Sequence, residues 1–298
     1  MTSRGALQTA LARRLGSASE ARWILEDVLG AGGGAGGEVD GEVDEPAVRT
    51  ISDLATRRVA GEPLQYLLGS WAFRTVDLLV DDRALIPRPE TEQVVEVALG
   101  EVRRQLAVRA APGDPLLVAD LGTGSGAIAL SISAELGREC PQLRIAATDV
   151  DVSALQLAEE NRRRVAVRAP HVLVQVELRA GTWFDALRPD WSGQVHLVVS
   201  NPPYVSEDEW PALDPEVRRE PYGALVAPAG SDGTPGLAGV EAVLASARDW
   251  LVPGGAVVVE MAPHHADPAR ELACRAGYRH VRVEADLAGR PRAVVARR

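Results

Sequence analysis

The stretch Asp120-Leu121-Gly122-Thr123-Gly124-Ser125-Gly126-Ala127 decides the fold of this 298-residue chain. It continues an apolar run, Leu116–Leu121, that is typical of a buried strand, and it precedes a predicted helix, Ala127–Leu136. Glycines let the backbone turn tightly and approach a ligand closely, and a helix N-terminus offers free N–H groups. The stretch therefore predicts a ligand-binding turn between a strand and a helix of an open α/β sheet.

Short apolar strands alternate with helices from Leu116 to the C-terminus. This alternation predicts a mostly parallel α/β sheet that is covered on both faces. The last two strands are joined too briefly for a crossover helix, so they must be antiparallel. The seven predicted strands are residues 116–121, 144–150, 172–178, 196–200, 255–261, 279–285 and 292–296. The predicted helices between them are residues 127–136, 152–164, 237–251 and 266–276.

The first 70 residues have a helical pattern. Leu7, Leu11 and Leu15 recur on one helix face, and Ser17 with Glu20 has the spacing of a capping box. A third helix fits residues 46–60. These features predict a small helical domain at the N-terminus.

One segment interrupts this domain and a second one follows it. Glycine and acidic residues dominate positions 31–45, which predicts a solvated loop. Imperfect alternation of apolar and polar residues over 71–80 predicts a hairpin. We therefore expect a helical domain over 1–70, a hairpin linker over 71–85 and the α/β domain over 86–298.

The composition is that of a soluble globular protein, with 46% hydrophobic and 25% charged residues. A net charge of −10 argues against a protein that grips a phosphate backbone, because that affinity comes from Lys and Arg. Two cysteines, Cys140 and Cys274, are too few for a disulfide framework or a multi-Cys zinc site, and we expect no metal. The sequence shows neither an apolar run of ~18 residues nor a signal peptide. We expect a cytoplasmic monomer that contacts neither membrane nor nucleic acid.

The glycine-rich turn leaves two nucleotide ligands open. Gly122, Gly124 and Ala127 also satisfy the dinucleotide fingerprint, with Asp149 about 20 residues further on. An acid at the end of the second strand can accept hydrogen bonds from the hydroxyls of a ribose. A nicotinamide cofactor and S-adenosylmethionine (SAM) are both compatible with this turn.

A second motif, Asn201-Pro202-Pro203-Tyr204, follows the predicted strand 196–200. The two prolines end the strand and stiffen the backbone. The Asn201 side chain and the Pro202 carbonyl offer two acceptors that could hold both hydrogens of a planar –NH2 group, on which Tyr204 could stack. A nicotinamide enzyme has no need of this pocket. Together the two motifs indicate SAM-dependent methylation of a planar nitrogen.

These motifs resemble class I SAM methyltransferases that act on amide or amino nitrogen. Glu62-Pro63-Leu64-Gln65-Tyr66-Leu67-Leu68-Gly69 and Leu85-Ile86-Pro87-Arg88-Pro89-Glu90-Thr91-Glu92 are similar to stretches of the PrmC/HemK family. That family methylates the side-chain amide of the glutamine in the Gly-Gly-Gln motif of peptide chain release factors. The resemblance runs from about residue 60 to the C-terminus and includes Trp183-Phe184, Glu220-Pro221, Ala224-Leu225 and residues 254–260 and 286–292.

The resemblance implies a Rossmann-like class I SAM methyltransferase fold with a small N-terminal helical domain. It implies SAM as the methyl donor and a release factor as the protein substrate, which the helical domain would contact. The residues that would wrap the methionine part of SAM are Gly122, Thr123, Gly124, Ser125 and Gly126. Asp149 would hold the ribose, Trp183 would lie near the adenine, and Asn201 would border the methyl donor.

The same resemblance assigns the substrate side of the site. The substrate amide would be bound by Asn201, Pro202, Pro203 and Tyr204, of which Asn201, Pro202 and Tyr204 form the expected catalytic set. Arg88, Glu90 and Glu92 would shape the substrate entrance, and a capped helix start explains the two acids equally well. Met261-Ala262, which follows Glu260, departs from the polar, glycine-containing pair of the family and leaves the role of Glu260 open. We expect His196 to be a buried structural residue and His264 and His265 to lie in a loop.

Three other functions share parts of this pattern. A DNA adenine methyltransferase carries Asn-Pro-Pro-Tyr because its target amine resembles an amide, but such an enzyme must also grip duplex DNA. A ribosomal-protein glutamine methyltransferase would have the same active site and would differ in its N-terminal domain. A non-catalytic SAM-binding assembly factor would not need an intact Asn201 motif.

Overall fold

The computed structural model describes residues 2–30, 41–108 and 113–298. The chain forms two compact units. The first unit consists of Met1–Ser70 together with the segment Asp214–Arg219, and the second consists of Trp71–Leu213 and Glu220–Arg298. Of the predicted loop over 31–45, residues 31–40 lie outside the described part of the chain.

The first unit is mainly helical. Its elements are β1 (Thr2–Ser3), α1 (Arg4–Leu15), α2 (Ala18–Leu29), β2 (Glu42–Val43), α3 (Glu45–Val59) and α4 (Leu64–Leu68). Ser17 caps α2 by accepting a hydrogen bond from the Glu20 N–H at 3.3 Å, which is one half of the predicted capping box, while the Glu20 carboxylate pairs with Arg58. The core of this unit contains Leu11, Ile24, Leu25, Ile51 and Leu54.

The segment Asp214–Arg219 is held in the first unit by polar contacts. Arg58 at the end of α3 pairs with both Glu20 and Glu216 at 2.8 Å. The Arg219 guanidinium donates to the carbonyl oxygen of Ala60 at 2.7 Å. Because the Arg58 side chain is only 16% exposed, water screens these pairs less than it screens fully exposed ones.

The second unit begins with a hairpin, whose first strand starts one residue earlier at Ser70, and a long helix. Its elements are β3 (Ser70–Phe73), β4 (Val76–Leu79), α5 (Pro89–Val108), β5 (Leu116–Leu121), α6 (Ala127–Leu136), β6 (Leu143–Asp149), α7 (Val152–Ala166), α8 (Val172–Gln175), β7 (Val176–Ala180), β8 (Val195–Ser200), α9 (Tyr222–Leu225), α10 (Ala238–Trp250), β9 (Leu251–Glu260), α11 (Ala266–Arg275), β10 (His280–Ala285) and β11 (Pro291–Arg297). Helix α5 has 20 residues and lies outside the predicted set, although Pro89 and the acids Glu90 and Glu92 are typical of a helix start.

Seven strands form one sheet in the order β10-β11-β9-β8-β5-β6-β7. Strand β11 is antiparallel to both of its neighbours, and the pairs from β9 to β7 are parallel. The predicted mostly parallel sheet with an antiparallel last strand is confirmed. Aliphatic side chains cover both faces, with α5 and α6 on one and α10 and α11 on the other. No helix in the described ranges is long and apolar enough to cross a membrane.

One predicted strand is wrong over half of its length. Residues 172–178 were expected to form a single strand, but Val172–Gln175 is the short helix α8 and the strand begins only at Val176. A short apolar run does not separate a strand from a helix. The Gln175 side chain selects the helix here, because it accepts from the Ser133 hydroxyl and donates to the carbonyl oxygens of Gly137 and Cys140.

Candidate active site

Three sequence motifs meet at the carboxyl edge of the sheet. Leu121 pairs with Thr148 of β6 on one side and with Ser200 of β8 on the other. The glycine-rich turn, Asp149 and Asn201 therefore lie at the ends of adjacent strands. The chain proceeds outward from β5 to β6 and β7, and then returns to the other side of β5 as β8. Ligands of open α/β sheets bind at such a reversal of strand order.

The glycine-rich turn requires glycine for its backbone conformation. Gly122, Gly124 and Gly126 have φ angles of 72°, 56° and 85°, a region that other residues rarely adopt. A Cβ atom at Gly126 would also lie 3.0 Å from a methyl carbon of Leu130. The N–H groups of Gly122 and Thr123 both donate to the Thr148 carbonyl, at 2.9 and 2.8 Å, which ties the turn to β6.

Two aspartates hold the turn in place. Asp120 is completely buried, and its Oδ2 accepts from the Thr123 hydroxyl at 2.6 Å and from the Ala129 N–H at 3.1 Å. Burial raises the pKa of Asp120 to about 7. Asp149 accepts from the Gly124 N–H at 2.8 Å and from the Asp151 N–H at 2.9 Å. Asp149 thus fastens the turn, a contact that the sequence analysis did not anticipate.

A cavity of about 370 Å³ lies against the turn, within the range of roughly 300–1,000 Å³ of small-molecule sites. The predicted site residues that line it are Gly122, Thr123, Gly124, Ser125, Asp149, Trp183, Asn201 and Pro203. Gly126, Pro202 and Tyr204 are absent from its lining. Lining residues that sequence reasoning missed include Ala84, Leu85, Pro87, Thr91 and Ala224. Leu85, Pro87, Thr91 and Ala224 lie in stretches where the family resemblance is the only signal in the sequence, and Ala84 lies outside those stretches.

Trp183 lies in the wall of this cavity with an unusual backbone. Its φ angle is 44°, and such a conformation in a non-glycine residue costs of order 1–3 kcal/mol. A Cβ atom added at Gly122 would lie 3.8 Å from Cζ3 of the Trp183 ring, so the ring lies directly over the turn. Side chains of the core beneath also pack against this tryptophan.

Asn201 is connected to the sheet interior by a chain of polar contacts. Its Nδ2 donates to Oγ1 of Thr91 at 3.3 Å, and the Thr91 hydroxyl donates to Oε2 of Glu260 at 2.7 Å. Glu260 is completely buried, and burial raises its pKa to about 7. The Tyr204 hydroxyl donates to the other carboxylate oxygen at 3.3 Å, and burial raises the pKa of Tyr204 as well. The Tyr204 hydroxyl is thus hydrogen-bonded to the Glu260 carboxylate.

The backbone of the Asn201 motif packs against two glycines. A Cβ atom at Gly239, in the first turn of α10, would lie 2.9 Å from the Pro203 carbonyl oxygen. Gly236 has a φ angle of 72°, and a Cβ atom there would overlap the carbonyl oxygen of Tyr204. Both glycines allow a close approach of backbone segments, which only the folded structure reveals.

Of the three residues predicted at the substrate entrance, only Arg88 lines the cavity. Arg88 pairs with the buried Glu220, whose other oxygen accepts from the Ile86 N–H at 2.9 Å. Glu90 instead pairs with Arg290 at 3.1 Å. Glu92 accepts from the backbone N–H of Arg74 at 3.1 Å. The two acids therefore stabilise the start of α5 and its surroundings.

None of His196, His264 and His265 lines the cavity. His196 is half-buried, and its Nδ1 accepts from the Leu117 N–H at 3.2 Å. His264 and His265 belong to a 3-10 helix, Pro263–His265, and not to an irregular loop, because Pro263 favours a helical start. Across residues 2–30, 41–108 and 113–298 there is no cluster of three or more residues suited to a metal ion.

Known proteins are similar to this chain along most of its length. Residues 6–69 match the PrmC N-terminal domain and residues 109–213 the methyltransferase small domain. The release factor glutamine methyltransferase of Bordetella pertussis is 40% identical over 271 residues, which cover 91% of each chain. That of Deinococcus radiodurans is 38% identical over 280 residues, which cover 94% of this chain and 90% of that protein.

A solved structure of a release factor-specific protein-(glutamine-N5) methyltransferase from Alicyclobacillus acidocaldarius is 28% identical, covering 74% of this chain and 98% of that one with a TM-score of 0.38. The family of this chain is shown by its sequence relatives and not by this structure. The domain match and the sheet order together confirm the Rossmann-like class I methyltransferase fold. With 40% identity across 91% of both chains, this chain belongs to the family of release factor glutamine methyltransferases.

Proposed function

We propose that this protein transfers the methyl group of SAM to the side-chain amide nitrogen of the glutamine in the Gly-Gly-Gln motif of peptide chain release factors. One observation carries the proposal: Asn201 lines the same cavity as the glycine-rich turn. This arrangement supports a site in which a bound methyl donor and a substrate amide would lie side by side. Family membership gives the choice of substrate.

The cavity residues suit SAM. The positive φ angles of the turn expose backbone at the N-terminus of α6, where it can approach a charged amino-acid group. Asp149 offers carboxylate oxygens for ribose hydroxyls, and the Trp183 ring offers a flat apolar wall for a base. When bound there, SAM supplies an electrophilic methyl group on its sulfonium sulfur.

The residues of this chain would act on the substrate amide that receives the methyl group. An amide nitrogen is a weak nucleophile because its lone pair is delocalised, so orientation matters more than activation. The Asn201 side-chain oxygen accepts one amide hydrogen at the cavity wall. The carbonyl oxygen of the adjacent Pro202, which is not itself among the lining residues, accepts the other, so that the direction of the nitrogen is fixed. As the N–C bond forms and the bond between the methyl group and sulfur breaks, the same two oxygens would stabilise the positive charge that develops on the nitrogen. The nitrogen would then release one proton to water.

The first unit is proposed to contact the release factor outside the active site. It matches the PrmC N-terminal domain over residues 6–69, and a small amide pocket alone does not require such a unit. Hydrogen exchange tests this role with the whole chain. Backbone amides of α1, α2 and α3 should exchange more slowly when intact release factor is present, but not when only a short Gly-Gly-Gln peptide is added. Equal protection by both acceptors would contradict the role.

The transfer itself is tested with labelled SAM and four acceptors. These acceptors are intact release factor, release factor with its Gly-Gly-Gln glutamine changed to alanine, ribosomal proteins and duplex DNA. Label on the intact release factor alone supports the proposal. Label on ribosomal protein or on DNA overturns the substrate, and no label anywhere favours a SAM-binding protein without catalysis. We further propose a cytoplasmic monomer, and sedimentation of the pure protein checks the monomer.

A further inference from the structure

Thr91 lies between Asn201 and the buried carboxylate of Glu260. The three residues come from separate elements: Thr91 from the first turn of α5, Asn201 from the end of β8 and Glu260 from the end of β9. Thr91 is 4% exposed and Glu260 is 0% exposed, while Asn201 borders the cavity. A polar connection therefore runs from the sheet interior to the residue that faces the substrate amide.

The chemistry of this connection determines which end of the Asn201 amide points to Thr91. An ionised carboxylate can only accept hydrogen bonds, so the single hydrogen of the Thr91 hydroxyl goes to Glu260. The Thr91 oxygen is then left as an acceptor, and only the –NH2 end of Asn201 can donate to it. The carbonyl end of Asn201 must point the other way.

We propose that Thr91 and Glu260 are positioning residues that set the orientation of the Asn201 side chain, so that its oxygen and not its nitrogen meets the substrate amide. This inference rests on the proposed function of Asn201 as an acceptor for an amide hydrogen. With the opposite orientation, two –NH2 groups would face each other and the substrate amide would lose that acceptor.

Charged and titratable groups around Glu260 determine whether its carboxylate is ionised, and therefore which orientation the Asn201 side chain adopts. Arg292 on β11 favours the ionised carboxylate, while Glu90 on α5 and burial oppose it. Tyr204 donates to the carboxylate from the Asn201 motif. Their balance raises the pKa of Glu260 to about 7. A protonated Glu260 can donate a hydrogen bond to the Thr91 oxygen. The Thr91 hydroxyl can then donate to the Asn201 oxygen, which turns the –NH2 end of the Asn201 side chain toward the substrate.

The decisive experiment compares Thr91→Val with Thr91→Ser. Valine keeps the shape of threonine without the hydroxyl, and serine keeps the hydroxyl without the methyl group. With release factor as acceptor, we expect kcat of Thr91→Val to fall about tenfold, because the free energy that holds Asn201 in its productive orientation is of the order of one hydrogen bond. The KM for SAM should stay within twofold, and Thr91→Ser should keep at least a third of the wild-type kcat.

A pH profile separates orientation from mere packing. The wild-type kcat should rise with pH and level off above the pKa of Glu260, because the ionised form sets the productive orientation. In Thr91→Val this rise should be absent, since the link between Glu260 and Asn201 is broken. Equal losses in both Thr91 variants, or an unchanged pH profile in Thr91→Val, would overturn the inference.

Asn201→Ala in the same assay distinguishes a failure of the proposed role of Asn201 from a failure of the positioning role of Thr91. If Asn201→Ala keeps wild-type turnover, the proposed role of Asn201 fails and the positioning inference fails with it. If Asn201→Ala is inactive while Thr91→Val is fully active, only the positioning inference fails. Thermal melting of each variant shows that the compared proteins are folded.

Discussion

Gly239 lies against Pro203 so closely that a Cβ atom at position 239 would stand 2.9 Å from the Pro203 carbonyl oxygen. The first turn of α10 thus limits where the Asn201 motif can lie. Because the obstacle is backbone and not the end of a flexible side chain, neither partner can move aside without shifting the motif.

Gly239→Ala should therefore lower both stability and activity. We expect a loss of about 1–3 kcal/mol in the free energy of unfolding, as for other overpacked sites, and a fall in kcat of about tenfold. Chemical denaturation and methyl transfer measure the two effects. Gly100→Ala is the matched control, because Gly100 is an exposed helical glycine with open space around its Cβ position. It should gain about 0.5–1 kcal/mol, and similar losses in both variants would refute the steric explanation.

Asn201→Ala should separate binding from turnover. The substitution removes the acceptor for the substrate amide but leaves the glycine-rich turn and Asp149 intact. SAM affinity, measured by calorimetry, should fall by no more than about threefold. Turnover should fall by about 100-fold or more, as it does when a single acceptor or donor is lost from a preorganised site. Turnover near the wild-type level would show that the amide is held by other residues.

Asp120 should make stability depend on pH. Its folded pKa, about 7, is higher than the ordinary value of 3.8, so the folded state holds the proton more tightly. The stability that this bound proton contributes is fully present below the ordinary pKa and is lost as pH rises through about 7. Asp120→Asn does not titrate and keeps an acceptor for Thr123 and Ala129. From pH 5 to 8 the free energy of unfolding of the wild type should fall by about 2.5 kcal/mol relative to that of Asp120→Asn. Thermal melts that run parallel across this range would contradict the assignment.

Glu216→Ala should loosen the segment Asp214–Arg219. Glu216 pairs with Arg58, and its side chain is 31% exposed, so water screens part of the interaction. Amide exchange in this segment should accelerate about two- to fivefold. Glu207→Ala is the control, because Glu207 is exposed in the preceding loop. No acceleration in Glu216→Ala, or equal acceleration in the control, would mean that the ion pair does not hold the segment.

Local sequence signals predicted much of the fold because they act over a few residues. Strand β5 and helix α6 match their predicted bounds, since an apolar run and a glycine turn delimit them. The α8 segment was missed because a tertiary contact of Gln175 overrides the apolar pattern. The sequence predicted those parts of the cavity lining that belong to contiguous motifs, such as Gly122 and Asn201.

Other parts of the site depend on residues that are distant in sequence. Thr91 and Glu260 are separated by 169 positions, and the packing of helix α5 on the sheet brings them together. Nothing in the local sequence of either residue indicates the other. The same holds for Gly239 beside Pro203, where a glycine is required by a neighbouring segment and not by its own backbone angles.

The membership of Asp214–Arg219 in the first unit has a consequence for protein engineering. The polypeptide passes between the two units three times, after Ser70, after Leu213 and after Arg219. The N-terminal unit is therefore not a detachable module with a single junction. A chimaera that exchanges only residues 1–70 with a relative would leave a foreign six-residue piece against the new helices. A chimaera that keeps the contacts within this unit must therefore transfer residues 1–70 and 214–219 together.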